Sequence, residues 1–523
     1  MRGSRTSNVL KNSAASLIGR AVSILSQFAL RTAFIYLLGK EYTGISGLFS
    51  DILKVLSFME LGLDASMVYS LYKPLAENDT GYAAALMRYY KRLFIVIGCA
   101  VAAAGCAAAP FIGFIVKDIP DISENITLIF LMYVFVCAFS YFFSYRVMLI
   151  KAQQQSRVIY TVRMIFSAAE TVAEIILLLV FRRFFAYLIT HFVFSLAADI
   201  TLSVLAGRKF PECLIRTDTE LSHEDKKAIL KNLLCLTAFN VSGVAINSTD
   251  SIFISLFAGT AQVAVIGNFT LIVNAVRSCV EQISNAVSPS VGNLAALSSG
   301  EKQEQIFRRM NFLCFYAAVF CSSCLFTLMD PFIGGIWLDD SYRIPVTLAA
   351  LMTVNFYIAV MVFPVEAFRS ANGLFVQGWF RPVCTAAINI ALDYFLGKQV
   401  GITGILAATA VSRLVTQVWF DPYLLYKLVF PGKLRRYYAD YAGKAVFAVL
   451  VGAVTYFAAG RIELENAYLQ FIGRAAVAVT LPNVLLLVGW GRTPEFLSVC
   501  EAGKRLIIRR KKTEKAADRS MEE

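Results

Sequence analysis

Apolar residues run in long, nearly unbroken stretches along this chain, separated by short polar turns. A helix that crosses the hydrocarbon of a bilayer needs about 20 such residues, and about fourteen segments of that kind can be marked. They begin near Ser13, Ile45, Leu93, Ile126, Val158, Phe184, Leu233, Val265, Phe312, Val346, Pro382, Thr403, Ala445 and Tyr468. Such a pattern predicts an all-α integral membrane protein, because a spanning segment must satisfy its own backbone hydrogen bonds.

The longest polar stretch between apolar runs, Gly207 to Asn232, reads as a linker between two bundles. Shifting the chain by 220 residues across it aligns Leu10-Lys11-Asn12 with Leu230-Lys231-Asn232, and Gly39, Gly47, Phe49 and Ile52 with Gly259, Gly267, Phe269 and Ile272. These matches hold register over two helices without a gap, which points to an internal repeat. Six helices per repeat is an even number, so the two copies share an orientation and relate by an axis along the membrane normal. The expected organisation is an N-terminal six-helix lobe over 1–206, a cytoplasmic linker over 207–232 and a C-terminal six-helix lobe over 233–427. Two additional transmembrane helices over 428–491 and a basic cytoplasmic tail over 492–523 complete it.

Composition agrees: 58% of the 523 residues are apolar, 16% are charged, and the mean hydropathy is +0.63. Soluble domains carry roughly 45–50% apolar and 25% charged residues, so a soluble enzyme, a disordered scaffold and a disulfide-stapled secreted module are excluded. The net charge of +13 would suggest a nucleic-acid partner in a soluble protein. Here the cations cluster between apolar runs, at Arg2, Arg5 and Lys11, at Arg88, Lys91 and Arg92, at Lys226, Lys227 and Lys231, and in the tail from Lys504 to Lys512. That asymmetry predicts a plasma-membrane protein with both termini cytoplasmic and no nucleic-acid partner. The tail cations are expected to meet anionic lipid headgroups. Met1 to Asn12 is basic and leads into an apolar run as a signal peptide would. That run is long, holds Arg20 and Arg31 and lacks a small-residue cleavage site, so it reads as a retained first helix.

Neither a GxxxxGK[ST] loop nor a GxGxxG after a strand occurs, so no nucleotide is expected to drive the protein. Only two histidines exist, His191 and His223, without spacing suited to zinc, and the eleven cysteines read as small buried hydrophobes. No cofactor and no metal are expected.

Ionisable residues inside spanning helices are costly unless they face protein or water, so each is a candidate for function. In the first helix Ser13, Ser16, Arg20, Ser23, Gln27 and Arg31 recur at spacings of 3 or 4 and share one face. The second helix returns across a turn near Tyr42, which sets Arg20 level with Asp64 and Arg31 level with Lys54. Two like charges at one depth require an anion, water or a nearby acid. Asp51, one turn from Lys54, is that acid, so an anion site and a structural bridge both stand. In the second bundle Arg277 lies level with Asn247, with Asp250 and Glu281 near enough to bridge it. Glu170 and Glu174, one turn apart, repel when both are ionised, which suits a proton-coupling or sodium-coupling carboxylate; a salt-bridge network with Arg163 is the alternative.

The stretch LLGKEYTGISGLFSDILKVLSFMELGLDASMVYSLY, from Leu37 to Tyr72, resembles the polysaccharide (O-antigen type) flippase branch of the multidrug/oligosaccharidyl-lipid/polysaccharide exporter superfamily. The likeness lies in Leu38-Gly39, Tyr42-Thr43-Gly44, Leu61-Gly62-Leu63 and Tyr72-Lys73. The resemblance implies two six-helix lobes around a central cavity and alternating access. It also implies transfer of polyprenyl-pyrophosphate-linked oligosaccharide from the cytoplasmic to the outer leaflet, with membrane lipids and glycan polymerase machinery as partners. By helix and face, Arg20, Arg31, Lys54 and Arg277 match the cations that hold the pyrophosphate in related lipid-precursor flippases. Energy is expected from an ion gradient or the membrane potential, with a proton or sodium ion coupled. The rivals are a peptidoglycan lipid-precursor flippase, which reads the same pyrophosphate handle, and a cation-coupled multidrug exporter, whose cavity should be acid-rich. A multi-pass glycan polymerase or transferase would need a large outer catalytic loop, and the outer turns are short.

Overall fold

The computed structural model describes the backbone of residues 2–501 except 58–59, 117–121, 123, 154, 216–218, 298–299, 373, 375–376, 431 and 499–500. Side chains are further left undescribed over 1–18, 20, 60–66, 69, 228, 231–247, 283–297. Expectations for the side chains of Arg20, Asp64 and Asn247 and for the tail cations from Lys504 onward therefore lie outside what is described.

The chain runs through α1 (Arg2–Leu38), α2 (Lys40–Leu56), α3 (Glu60–Ala76), α4 (Thr80–Ala108), α5 (Ile112–Ile115), α6 (Ile126–Ser144), α7 (Val147–Ala152), α8 (Ser156–Phe181) and α9 (Phe184–Lys209). Then come α10 (His223–Ala258), α11 (Thr260–Leu297), α12 (Gly300–Phe332), α13 (Val346–Ala371) and α14 (Phe380–Val400). The last are α15 (Ile402–Val415), α16 (Gln417–Leu428), α17 (Leu434–Gly460) and α18 (Ala467–Trp490). No strand occurs among the described residues. Every apolar segment marked in the sequence begins on one of these helices. Two segments are broken: the one from Ile45 at Ser57, and the one from Thr403 at Thr416. Eleven helical stretches among the described residues are long and apolar enough to cross a membrane. Their outward side chains include Val488 at 80% exposed and Phe114 at 77%; water would penalise such surface and lipid does not. The chain is a multi-pass membrane protein.

Helix starts follow local chemistry. Asn125 opens α6 and Asn466 opens α18 in the same way, each side-chain Oδ1 accepting two backbone N–H groups at 2.9 and 3.2 Å. These bonds satisfy donors that the first turn of a helix otherwise leaves orphaned.

Two compact units divide the chain. One comprises Met1–Gly267 and Pro382–Ile405, the other Asn268–Arg381 and Leu406–Glu523. In the first, α1 packs on α8, α8 on α9, α4 on α6, and α10 on α2 and α3. Its core holds Met67, Tyr90, Phe94, Tyr141 and Leu149, all nearly inaccessible. In the second, α12 packs on α13, α17 and α18, with Phe307, Phe368, Leu425, Phe430 and Tyr437 at the centre.

Two glycines matched by the 220-residue shift share a backbone conformation. Gly39 joins α1 to α2 at φ 92°, and Gly259 joins α10 to α11 at φ 88°, a conformation that favours glycine. Each donates its N–H four residues back, to Ile35 O and Ser255 O, at 3.1 Å. The turn brings α2 onto the start of α11: a Cβ on Gly44 would lie 2.0 Å from the carbonyl oxygen of Thr260. Backbone cannot yield as a side-chain tip does, so Gly44→Ala is expected to destabilise the unit by about 1–3 kcal/mol. A lowered thermal midpoint in detergent checks this, and an unchanged midpoint contradicts the close approach.

Candidate functional site

In the first unit, the described polar side chains of the predicted α1 face are Ser23, Gln27 and Arg31. Gln27 Nε2 donates to Ser23 Oγ at 3.0 Å, and one turn on Arg31 Nη2 donates to the carbonyl of Ala264 on α11 at 3.1 Å. Arg31 reaches that carbonyl because α11 carries glycine at 267: a Cβ there would stand 2.8 Å from Arg31 Nη2. On α2, Lys54 Nζ bridges Asp51 Oδ1 at 2.7 Å, and Asp51 Oδ2 accepts from Ser251 Oγ at 2.5 Å. The bridge that the sequence held open for Asp51 and Lys54 is thus formed. The Lys54 side chain is still 62% accessible, so the ammonium remains open to a further anion.

In the second unit, Arg277 on α11 lies 5.7 Å from the ring of Phe363, within cation–π range. Glu281, one turn further, is exposed and forms no ion pair among the described residues, so it does not bridge Arg277. The acid of this unit whose field reaches Arg277 is Glu366 on α13, which accepts from Gln417 at 2.8 Å. Glu366 also lies in the field of a buried charge cluster. Asp421, fully buried, receives Arg369 Nη1 at 2.5 Å and Arg381 Nη2 at 3.1 Å. Arg369 Nη2 also donates to the carbonyls of Leu374 and Gln377, so the cluster ties the end of α13, the following loop and the starts of α14 and α16.

The paired carboxylates find a different partner from Arg163, which sits 3.8 Å from Asp199 instead. His191 on α9 places Nδ1 2.6 Å from Glu170 Oε1 and 3.8 Å from Glu174 Oε1. Glu174 is 1% exposed, and its Oε1 has no hydrogen-bond partner. The ligand atoms of the three residues lie within 4.8 Å of one another. Two carboxylates and an imidazole can exchange a proton or share a cation. A second acid pair lies in the same unit, where buried Asp393 on α14 accepts from Thr249 at 3.5 Å and Asn389 at 3.3 Å, and Asp250 acts on it electrostatically.

Sequence reasoning passed over His191. Glu174 and His191 stand equally far from the Arg182–Arg183 turn that joins α8 to α9, so the depth rule applied to the first two helices also finds this pair. No such signal joins Thr249 and Asp250 to Asp393, or Asp421 to Arg369 and Arg381; those residues meet through tertiary packing of helices distant in sequence.

A scan against protein-family models found no match, and neither did a search of curated protein sequences. Solved structures do match. A lipid II flippase, MurJ, in an inward closed conformation superposes with a TM-score of 0.66 at 12% identity, over 92% of this chain and 98% of that one. The MATE multidrug transporter DinF-BH, in a ligand complex, gives 0.57 at 17% identity, over 82% and 97%. An inward-facing MATE-family transporter of the MOP superfamily gives 0.55 at 14% identity, over 79% and 97%. The chain therefore has the fold shared by the MurJ flippase and the MATE transporters.

Proposed function

We propose that the protein is a flippase that carries a polyprenyl-pyrophosphate-linked oligosaccharide from the cytoplasmic to the outer leaflet. The observation that carries this reading is Arg277, a cation on a spanning helix that is held against an aromatic ring without an ion-paired acid among the described residues. Such a guanidinium keeps its charge for an anion and offers phosphate oxygens a planar fork. Arg31 and Lys54 are the proposed further ligands, with Arg20 joining if Asp64 releases it. The sugar is carried in water among Ser, Asn and Tyr side chains while the polyprenyl tail stays in lipid, and the lobes rock about the site.

Surface polysaccharide is the first reading of the cargo. The second, a peptidoglycan lipid precursor, is favoured by the more extensive likeness to a lipid II flippase than to the MATE transporters. Both termini are proposed to be cytoplasmic, with glycan polymerase machinery as a further partner. The test against a drug exporter uses proteoliposomes loaded with either a fluorescent polyprenyl-pyrophosphate glycan or a cationic dye. Movement of the lipid alone is expected; movement of the dye alone overturns the reading.

Transport is proposed to draw on an ion gradient or the membrane potential through Glu170, Glu174 and His191, with Asp250 and Asp393 as the second acid pair. Glu170→Gln is expected to flatten the pH dependence of transport at unchanged protein level. An unaltered pH profile removes Glu170 from coupling.

A further inference from the structure

The second unit holds an open cavity of about 440 Å³ between the ends of α12 and α17 and the starts of α13 and α18. Three arginines and one acid line it: Arg343, Arg461, Arg474 and Asp330. Asp330 is committed to the segment before α13, where Oδ2 accepts from Arg343 Nη1 at 3.3 Å and Oδ1 from the backbone N–H of Ile344 at 3.0 Å. Arg343 is also held by Asp340, at 2.6 Å. Arg461 and Arg474 form no ion pair among the described residues. The turn between α17 and α18 carries Glu463 and Glu465, which are exposed and do not line the cavity. Arg474 is more telling still, because its Nε is buried and has no hydrogen-bond partner. The residue lines the cavity, and its guanidinium charge is paired by no acid among the described residues.

Depth and surroundings narrow the ligand. Arg474 lies about 10 Å along α18 from its first residue, near the end of a spanning helix, where headgroups meet hydrocarbon. Phe457, which also lines the cavity, is 70% exposed, and Tyr468 and Ile472 on α18 are 64% and 62% exposed. A cationic hollow opening beside bare apolar surface suits a molecule with an anionic head and a hydrocarbon tail better than a free ion. We propose that this cavity binds the phosphate group of an anionic membrane lipid, with Arg461 and Arg474 as its ligands and Phe457 beside the chain. The inference does not rest on the cargo proposed above. The same chemistry is offered by a resident phospholipid and by a polyprenyl pyrophosphate.

The test measures binding to the delipidated full-length protein in a neutral detergent. Dioleoyl phosphatidylglycerol is expected to bind the parent protein, and R461Q/R474Q is expected to bind it about tenfold or more weakly, since charge-assisted bonds to phosphate are lost. Phosphatidylcholine should bind both proteins weakly and alike. Arg474→Lys, which keeps the charge, should retain most of the affinity. If the double variant does not fold, Arg461→Gln at the exposed position is expected to weaken binding several-fold by itself. Displacement of phosphatidylglycerol by undecaprenyl pyrophosphate identifies a polyprenyl lipid as a ligand, and failure to displace it identifies a resident phospholipid. Equal affinity of parent and variants for phosphatidylglycerol overturns the proposal, as does inorganic pyrophosphate binding as tightly as the lipid.

Discussion

Asp421→Asn is expected to cost the protein about 3–5 kcal/mol, because it strips the acid from two guanidinium groups that cannot reach water. Arg369 and Arg381 are each only about 5% exposed, and Asp421 is inaccessible. Desolvating the ions is already offset by their mutual attraction; removing one partner leaves the penalty without the offset. The carbonyls of Leu374 and Gln377 can still accept from Arg369, but they carry no charge to cancel it. A loss of that size is large against the usual 5–15 kcal/mol of a folded domain. Thiol labelling during heating, followed at the peptide that holds buried Cys314, reads it, since Cys99, Cys106, Cys279 and Cys384 are exposed and label in the folded protein. The expected result is a midpoint about 6 °C or more below that of the parent. Replacing Arg369, Arg381 and Asp421 together by Met, Met and Leu should recover most of the loss, since a fully apolar cluster leaves no ion unpaired. An unchanged midpoint for Asp421→Asn contradicts the buried cluster.

The helices were largely legible in the sequence because bilayer thickness imposes one length on all of them. The turns at Gly39 and Gly259 were legible for a related reason: both occupy a backbone conformation that few other residues tolerate, so chemistry and geometry mark the same positions. Asp51 with Lys54 was legible because three residues span one helical turn. The break at Ser57 was not, for no proline or glycine stands at 56–59. The depth rule assumed a continuous second helix as far as Asp64, whereas α2 ends at Leu56. The alternative of an Arg163 network failed for a different reason. Charge pairing was inferred along one helix, whereas Asp199 and His191 come from the neighbouring α9 and divide Arg163 from the two glutamates. In the second unit, Asp421 reaches Arg381 across forty residues and an intervening helix, a pairing that no periodicity encodes.

Arg277→Ala and Arg31→Ala are expected to reduce transport at least a hundredfold, while protein levels in the membrane persist. Losing charge-assisted bonds to a desolvated phosphate costs roughly 1.5–3 kcal/mol each, and a pyrophosphate presents oxygens for several such bonds. Lys54→Ala should have a smaller effect, because Asp51 already shares that charge. Arg277→Lys keeps the cation but loses the planar fork, and is expected to fall between parent and alanine. Arg277→Ala should leave thermal stability nearly unchanged, since it removes a ring contact and no ion pair; this separates loss of a ligand from loss of the fold.

The most direct measurement is the rate at which a fluorescent polyprenyl-pyrophosphate oligosaccharide changes leaflet in proteoliposomes containing the parent protein, Arg277→Ala or Arg277→Lys. The parent is expected to move it, the lysine variant to move it slowly, and the alanine variant to leave it in its original leaflet. Equal rates for all three proteins would contradict a cationic site for the pyrophosphate.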